Sequence, residues 1–474
     1  MLRAYEDGKP AKITNFLKWS DKGVTQDELV LSAGHPGNSS RGLTVSDLKF
    51  MRDRRVPFLL NWLYRREVIW QQFGNRGQEA RDRSAWELFY IQNSRKVYSA
   101  IENVLQDGSF IQEQYRREVA LRQEVVARPD LKNLVDAWDQ IDKAIEAYDP
   151  ILFEYNILEG RNGFTAPGSA TRLFTIARRI VRIAEEDAKP NGERLEEYRD
   201  SNRKSMEVAL YSPAPIQKEM EQVLLGEVLT YLCENLGAEN TVIAEVLAGK
   251  SPTDRAAEIF AGTRLHDVAE RKRLVQAGKA AVLASTDPLI KLIRALDPRA
   301  REVRRQFQVD YEEATRQAYA KIKQALFAVR GTTQYPDATF TLRLSYGTVK
   351  PFEQDGKLLG PSTTLGGLYE HAGNHKNEWP WLLPPRWVRS KSALDLKAPL
   401  NIVSTIDSVG GSSGSPVVNR SGELVGIIFD GNRAGAAAQY VYTAQTRTIS
   451  VDARAIKEAL KLYGASELAG LLGR

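Results

Sequence analysis

The sequence predicts an α+β protein in which a long helical stretch lies between two β-rich ends. Three observations predict it. Hydrophobic residues recur at helical spacing between residues 46 and 330, period-two alternation takes over after Gly331, and Gly and Pro interrupt the first 45 residues. The expected division is therefore 1–45 (β), 46–330 (α) and 331–474 (β with a terminal helix).

The first segment reads as LRAY, the turn EDGKP, and then ELVLSAGHPGNSS, a β piece too short to fold alone. TVSDL opens the helical part, with Thr44 and Ser46 as capping candidates. Leu173, Ile176, Ala177, Ile180, Val181 and Ala184 then line one helix face, with Arg178, Arg179 and Arg182 between them, which predicts a packed face and a wet one. Ile216, Met220, Val223, Leu224, Val228, Tyr231 and Leu232 repeat the spacing up to the stop signals Asn235 and Gly237, and Phe307, Tyr311 and Ala314 belong to a helix ending near Gly331. The tryptophans of NWLYRREVIW and SAWELF are read as core residues. TFTLRLSYGTV, NIVSTID, SPVVN, ELVGIIF and QYVYTAQ are short β runs fitting a small barrel or sandwich, and a last helix runs from about Asp452 to Tyr463.

Composition narrows the function classes. No apolar run reaches the eighteen or so residues that a membrane span needs, so no membrane partner is expected. The 66 basic and 60 acidic residues are interspersed, without an arginine-rich tail or an aromatic-basic motif, which argues against nucleic acid despite the net charge of +6. Cys233 is the one cysteine, so an internal disulfide is impossible, and its apolar helical setting predicts a structural thiol.

The stretch GGSSGSPVV, residues 410–418, carries the chemistry. A serine hydroxyl needs a base to take its proton, a carboxylate to hold that base, and two backbone N–H groups to receive the oxyanion. In this turn the glycines let the amides of Gly411 and Ser413 point at one spot while Ser413 projects its oxygen there. The same letters also suit an ordinary Gly/Ser hairpin.

The run STIDSVGGSSGSPVVNRSGELVGIIFDGN resembles the nucleophile segment of the S46 family of bacterial dipeptidyl-peptidases. PDATFTLRLSYGTVKPFE, the VD and R of ISVDARAIKEAL, AGHPGNSSR and IQNSRKVYSA are similar to other family segments, in family order. The resemblance implies a chymotrypsin-like double β-barrel with a large inserted helical domain, residues 1–45 ending the first barrel and 331–474 forming the second. It implies Ser413 as nucleophile, the Gly411 and Ser413 amides as oxyanion hole, and Asp430 with Asn93 as the grip on the substrate's free α-amino group. Gly431 would tune the first specificity pocket, leaving room for apolar side chains. Peptides with a free N-terminus would be the substrates, no metal or cofactor would be needed, and a periplasmic homodimer is the family expectation. Two departures stand out: Ser412 replaces the usual Asn, and AGHPG replaces GYPG.

Asp407, six residues before the serine, stands where trypsin-like enzymes select Lys and Arg, yet the resemblance assigns it a structural hydrogen-bonding role. None of His35, His266, His371 and His375 lies in a segment resembling the family's catalytic histidine, which with its aspartate would precede LRAY. His371 and His375 have i, i+4 spacing but lack an accompanying glutamate, so a zinc site is not expected. The triad is expected to be incomplete in this chain, and the alternatives to an active peptidase are a remnant that binds peptide termini or a helical scaffold.

Overall fold

A computed structural model describes residues 4–159, 171–237, 239–331 and 335–465. The chain forms two units, one of Met1–Leu43 with Tyr335–Arg474 and one of Thr44–Gln334.

The second unit is helical because its apolar residues fall on continuous stripes that must be buried together. Thr44 caps the first helix, Val45–Phe50, by accepting from the Asp47 N–H. The helix Lys218–Leu236 stops at Gly237, whose φ of 83° ends the turn. One core joins Trp62, Leu173, Ile180, Leu225, Ile259 and Ile293 from helices distant in sequence. Cys233, on Lys218–Leu236, packs against this core, and burial raises its thiol pKa.

Two expectations for this unit need correction. In the helix Arg172–Glu186 the side between the apolar residues is not all wet: Arg182 is buried, its Nε 2.6 Å from Asp297 Oδ1 and its Nη1 3.1 Å from Glu159 Oε2. A buried guanidinium persists only when carboxylates surround it, and these two come from elsewhere in the chain. Trp62 and Trp70 are core residues, but Trp86 is 64% exposed, stacking on Phe89 and meeting Tyr90 edge-on along Gln78–Gln106.

The first unit holds the strands. Tyr5–Glu6 (β1) and Lys9–Pro10 (β2) form a hairpin over Asp7 and Gly8, both at positive φ. Leu2 and Arg3 of the expected LRAY strand lie outside the described residues. Leu29–Gly34 (β3) and Arg343–Thr348 (β4) come next, followed by the hairpin Phe352–Gln354 (β5) and Lys357–Leu359 (β6). Then come Ser362–Thr364 (β7), Pro399–Ser404 (β8), Pro416–Val418 (β9), Leu424–Gly431 (β10) and Thr448–Asp452 (β11). Seven of them make one antiparallel sheet in the order β4-β3-β9-β10-β11-β8-β7. Its end strand β4 returns to β8: Val349 bridges Ser404, and the Thr405 N–H donates to Thr348 O at 2.9 Å. Val30, Val349, Ile406, Val417, Val425 and Ile428 form the core inside. Asp452 caps the last helix, Ala453–Leu462, through the Arg454 N–H.

β3 pairs with β4 along its whole length and with β9 at Leu31 and Ser32, inside the sheet of the late strands. Val30 and Ser32 point inward among those strands, a pairing that local pattern cannot specify.

Candidate functional site

The turn at residues 410–415 enters β9 and is fastened to β10. Gly414 N donates to Ile428 O at 2.7 Å, and Ile428 N donates to Ser415 O at 3.0 Å. Within the turn, Ser412 N donates to Val409 O and Ser415 N to Ser412 O. The amides of Gly411 and Ser413 donate to no group among the described residues, and Ser413 is exposed. The turn thus holds the Ser413 hydroxyl at the surface and leaves free the two N–H groups that an oxyanion would need. Ser412, in the position of the usual Asn, is buried with both backbone groups used.

A second segment supports the turn. The His35–Pro36–Gly37 backbone runs directly against it, with Gly37 N donating to Gly410 O at 2.7 Å. A Cβ on Gly37 would lie 2.5 Å from Gly410 O, and one on Gly411 would lie 2.7 Å from both Gly37 N and His35 O. Glycine is needed on both sides of this contact, and Gly411 also has a φ of 102°, outside the range of L residues. AGHPG therefore belongs to the site as its floor.

β10 carries the next two residues. Its register against β11 shifts between Ile428 and Asp430, so Ile428 is buried while both Phe429 and Asp430 are exposed. Asp430 Oδ1 accepts from Gly431 N at 2.8 Å. Around Gly431 there is ordinary space, a Cβ lying 3.5 Å from Arg447 O. Buried Asn432, not identified from the sequence, fixes the following loop: its Oδ1 accepts from Gly435 N and Arg447 N, and its Nδ2 donates to Gln445 O. No local signal distinguishes it, because its partners lie 3 to 15 residues on.

Asp407 takes part in an ion pair. Arg41 Nη1 and Nη2 reach its two carboxylate oxygens at 2.5 and 2.8 Å, and the Tyr335 hydroxyl donates to it at 3.0 Å. Arg41 also donates to Ala438 O, and the carboxylate raises its pKa against the opposing effect of burial. The Asp407 charge is thus matched by the Arg41 guanidinium within the fold, which fits a structural role for it.

Asn93 lies in the other unit, exposed on the helix Gln78–Gln106. The four histidines are dispersed, and none is hydrogen-bonded to Ser413. His35 is exposed with its ring 6.0 Å from that of Phe340, and His266 is exposed in a turn. His375 Nδ1 sits 2.9 Å from His371 O while its ring stacks on Trp381. Among the described residues no group of His, Cys, Asp and Glu could hold a metal ion.

Residues 1–473 match the family model for peptidase S46. The chain belongs to the peptidase S46 family. Among its curated relatives are the Asp/Glu-specific dipeptidyl-peptidase of Shewanella putrefaciens, 26% identical over 96% of this chain and 67% of that protein, and dipeptidyl-peptidase 7 of Phocaeicola vulgatus, 24% identical over 98% and 65%. The fold of this S46 chain is similar to that in the crystal structure of Porphyromonas endodontalis DPP11 in complex with dipeptide Arg-Glu. That match has a TM-score of 0.76 at 20% identity and covers 99% of this chain and 69% of that one. The S46 chain thus spans about two thirds of the length of these relatives.

Proposed function

We propose that the chain carries the nucleophile half of a serine-type dipeptidyl-peptidase that releases dipeptides from free N-termini, with the closed strands of the sheet unit as a chymotrypsin-like barrel. The observation that carries this reading is the exposed Ser413 in a turn where, among the described residues, its own amide and those of Gly410 and Gly411 donate to no protein group. Ser413 Oγ attacks the carbonyl of the second substrate residue as a base takes its proton, the Gly411 and Ser413 N–H groups receive the oxyanion, the C–N bond breaks and the remaining peptide leaves as its protonated amine, and water then hydrolyses the acyl-enzyme ester to release the dipeptide and restore the serine. No metal or cofactor takes part.

Asp430 stands two residues beyond the strand position that pins the turn, where its charge would hold the substrate's α-amino group with help from Asn93. The base and its carboxylate are assigned to the third of the relatives' length that this chain does not span, since none of its histidines is bonded to Ser413. The periplasmic location and the homodimer remain part of the reading by resemblance alone.

For the residue before the cut, Gly431 supports an apolar preference: Arg433 is paired with Asp355 and the Arg447 guanidinium is held by four backbone carbonyls. The name of the Shewanella putrefaciens relative favours Asp and Glu instead. One experiment addresses both points. The chain is fused to the N-terminal third of that relative and offered peptides with Leu, Met, Phe, Asp, Glu or Lys as second residue, each with a free or acetylated N-terminus. Free peptides should be cut and acetylated ones refused, and Asp430→Ala should lower kcat/KM about thirty-fold or more. Ser413→Ala should remove at least about a thousand-fold of the rate. Equal cleavage of acetylated peptides would overturn the role of Asp430; retained activity in Ser413→Ala would overturn the nucleophile.

A further inference from the structure

The segment between the helix Leu365–Asn374 and β8 has no part in the peptidase reading. It runs HKNEWPWLLPPRWVRSK, with three tryptophans in nine residues. Two of them hold the segment in place. Trp381 stacks on His375 with centroids 4.0 Å apart, and Trp387 donates from Nε1 to the Tyr463 hydroxyl at 3.3 Å while Tyr369 donates to its carbonyl at 2.8 Å. The Leu383 N–H donates to Asn377 Oδ1 and the Trp381 N–H to Glu378 O, so the loop has a defined shape.

The same anchoring turns other side chains outward. Trp379 is 84% exposed and Leu382 56% exposed. Holding a tryptophan in water on a fixed loop leaves unused the large apolar area that makes the residue favourable at a boundary. The charge around it is predominantly positive. Residues 376–397 contain Lys376, Arg386, Arg389, Lys391 and Lys397 against Glu378 and Asp395, five minus two, or net +3. All five cations are exposed.

Outward Trp and Leu with a collar of Lys and Arg match the two demands of a bilayer interface with anionic headgroups: apolar tips enter the acyl boundary, and cations stay at headgroup level. A bilayer interface supplies both media at once, whereas a protein partner would need an apolar pocket set among its carboxylates. No helix of the described residues is long and apolar enough to cross a membrane, so the contact is peripheral. We propose that the loop of Trp379 and Leu382, with its cationic collar, docks this chain reversibly on an anionic lipid surface.

The test is cosedimentation of the whole chain with vesicles of phosphatidylcholine alone and of phosphatidylcholine with about one third phosphatidylglycerol, following tryptophan fluorescence. Binding is expected only with the anionic vesicles, with a blue shift, quenching by lipids brominated near the headgroup, and release by high salt. Trp379→Ala with Leu382→Ser should weaken partitioning about tenfold or more. Arg386→Gln with Arg389→Gln should weaken it to a similar extent and flatten its salt dependence. Both pairs are at the surface, and circular dichroism matching that of the parent chain will establish that they fold. Failure to bind the anionic vesicles, equal binding to neutral ones, or binding unchanged by Trp379→Ala with Leu382→Ser would overturn the proposal. So would sedimentation equilibrium in which that pair abolishes a dimer of the chain, because the loop would then meet a second copy.

Discussion

Replacing Gly411 by Ala tests the floor of the candidate site with one methyl group. That methyl would stand 2.7 Å from Gly37 N and His35 O and 3.2 Å from Gly37 Cα, all of them backbone that no side-chain rotation can clear. Its own backbone, at φ 102°, costs an L residue about 1–2 kcal/mol. Moving the Gly37 strand away loosens the Gly37 N to Gly410 O bond, worth about 1 kcal/mol. The sum is about 2–3 kcal/mol of local stability, or roughly thirty- to hundred-and-fifty-fold faster opening. Gly410→Ala is the control, since a Cβ there meets nothing within 4 Å and φ is not positive. Hydrogen exchange read by mass spectrometry on peptides covering β3, β9 and the 410–415 turn measures this opening directly. Gly411→Ala should accelerate exchange in all three segments and Gly410→Ala in none. If the two variants exchange alike, the AGHPG segment does not lie under the turn and the description of the site is wrong.

Three more outcomes are expected. Asp407→Asn should cost the sheet unit about 2 kcal/mol in urea denaturation, because Arg41, whose side chain is only 20% exposed, loses a bidentate carboxylate; Arg41→Lys should not restore it, and a neutral Asp407→Asn would contradict the pairing. On β4 and just before it, Phe340, Leu342, Leu344 and Tyr346 are each between 65% and 71% exposed, so the chain should self-associate with concentration in light scattering, and Leu344→Lys with Tyr346→Lys should abolish this. Burial raises the Asp47 carboxyl pKa although the Tyr319 hydroxyl donates to it; a raised folded pKa means stability that is present at low pH and lost as pH climbs from the ordinary carboxylate value through the raised one. The stability of Asp47→Asn relative to the parent chain should therefore rise across that window, and a difference independent of pH would refute the assignment.

The local features were legible because a few neighbouring residues decide them. The cap Thr44, the stop at Gly237, the apolar stripes of the helices and the GGSSGS turn depend on φ preferences and on partners within one turn of chain, and the structure has each of them where its residues indicate, although Ser46, the other cap candidate, lies inside the helix. Family membership was legible for a similar reason, since short motifs in a fixed order survive in the letters themselves.

What depends on partners far along the chain was decided by tertiary structure alone. Arg41 meets Asp407 across 366 residues, and nothing near either one marks the other. Arg182 reads as a wet-face residue until Glu159 and Asp297 arrive from other helices. The alternation of TFTLRLSYGTV specifies two faces without saying which is inward; in the sheet, Arg343, Ser345 and Gly347 are the less exposed set, while the apolar residues point outward. β3 pairs with the late strands β4 and β9 because strand pairing rewards any compatible edge, whatever its distance in sequence. The amino-acid sequence by itself determined the turn that presents Ser413; only the tertiary structure decided that Gly34–Gly37 would form its floor, since backbone-to-backbone contact leaves no side-chain pattern to read beyond the glycines that permit it.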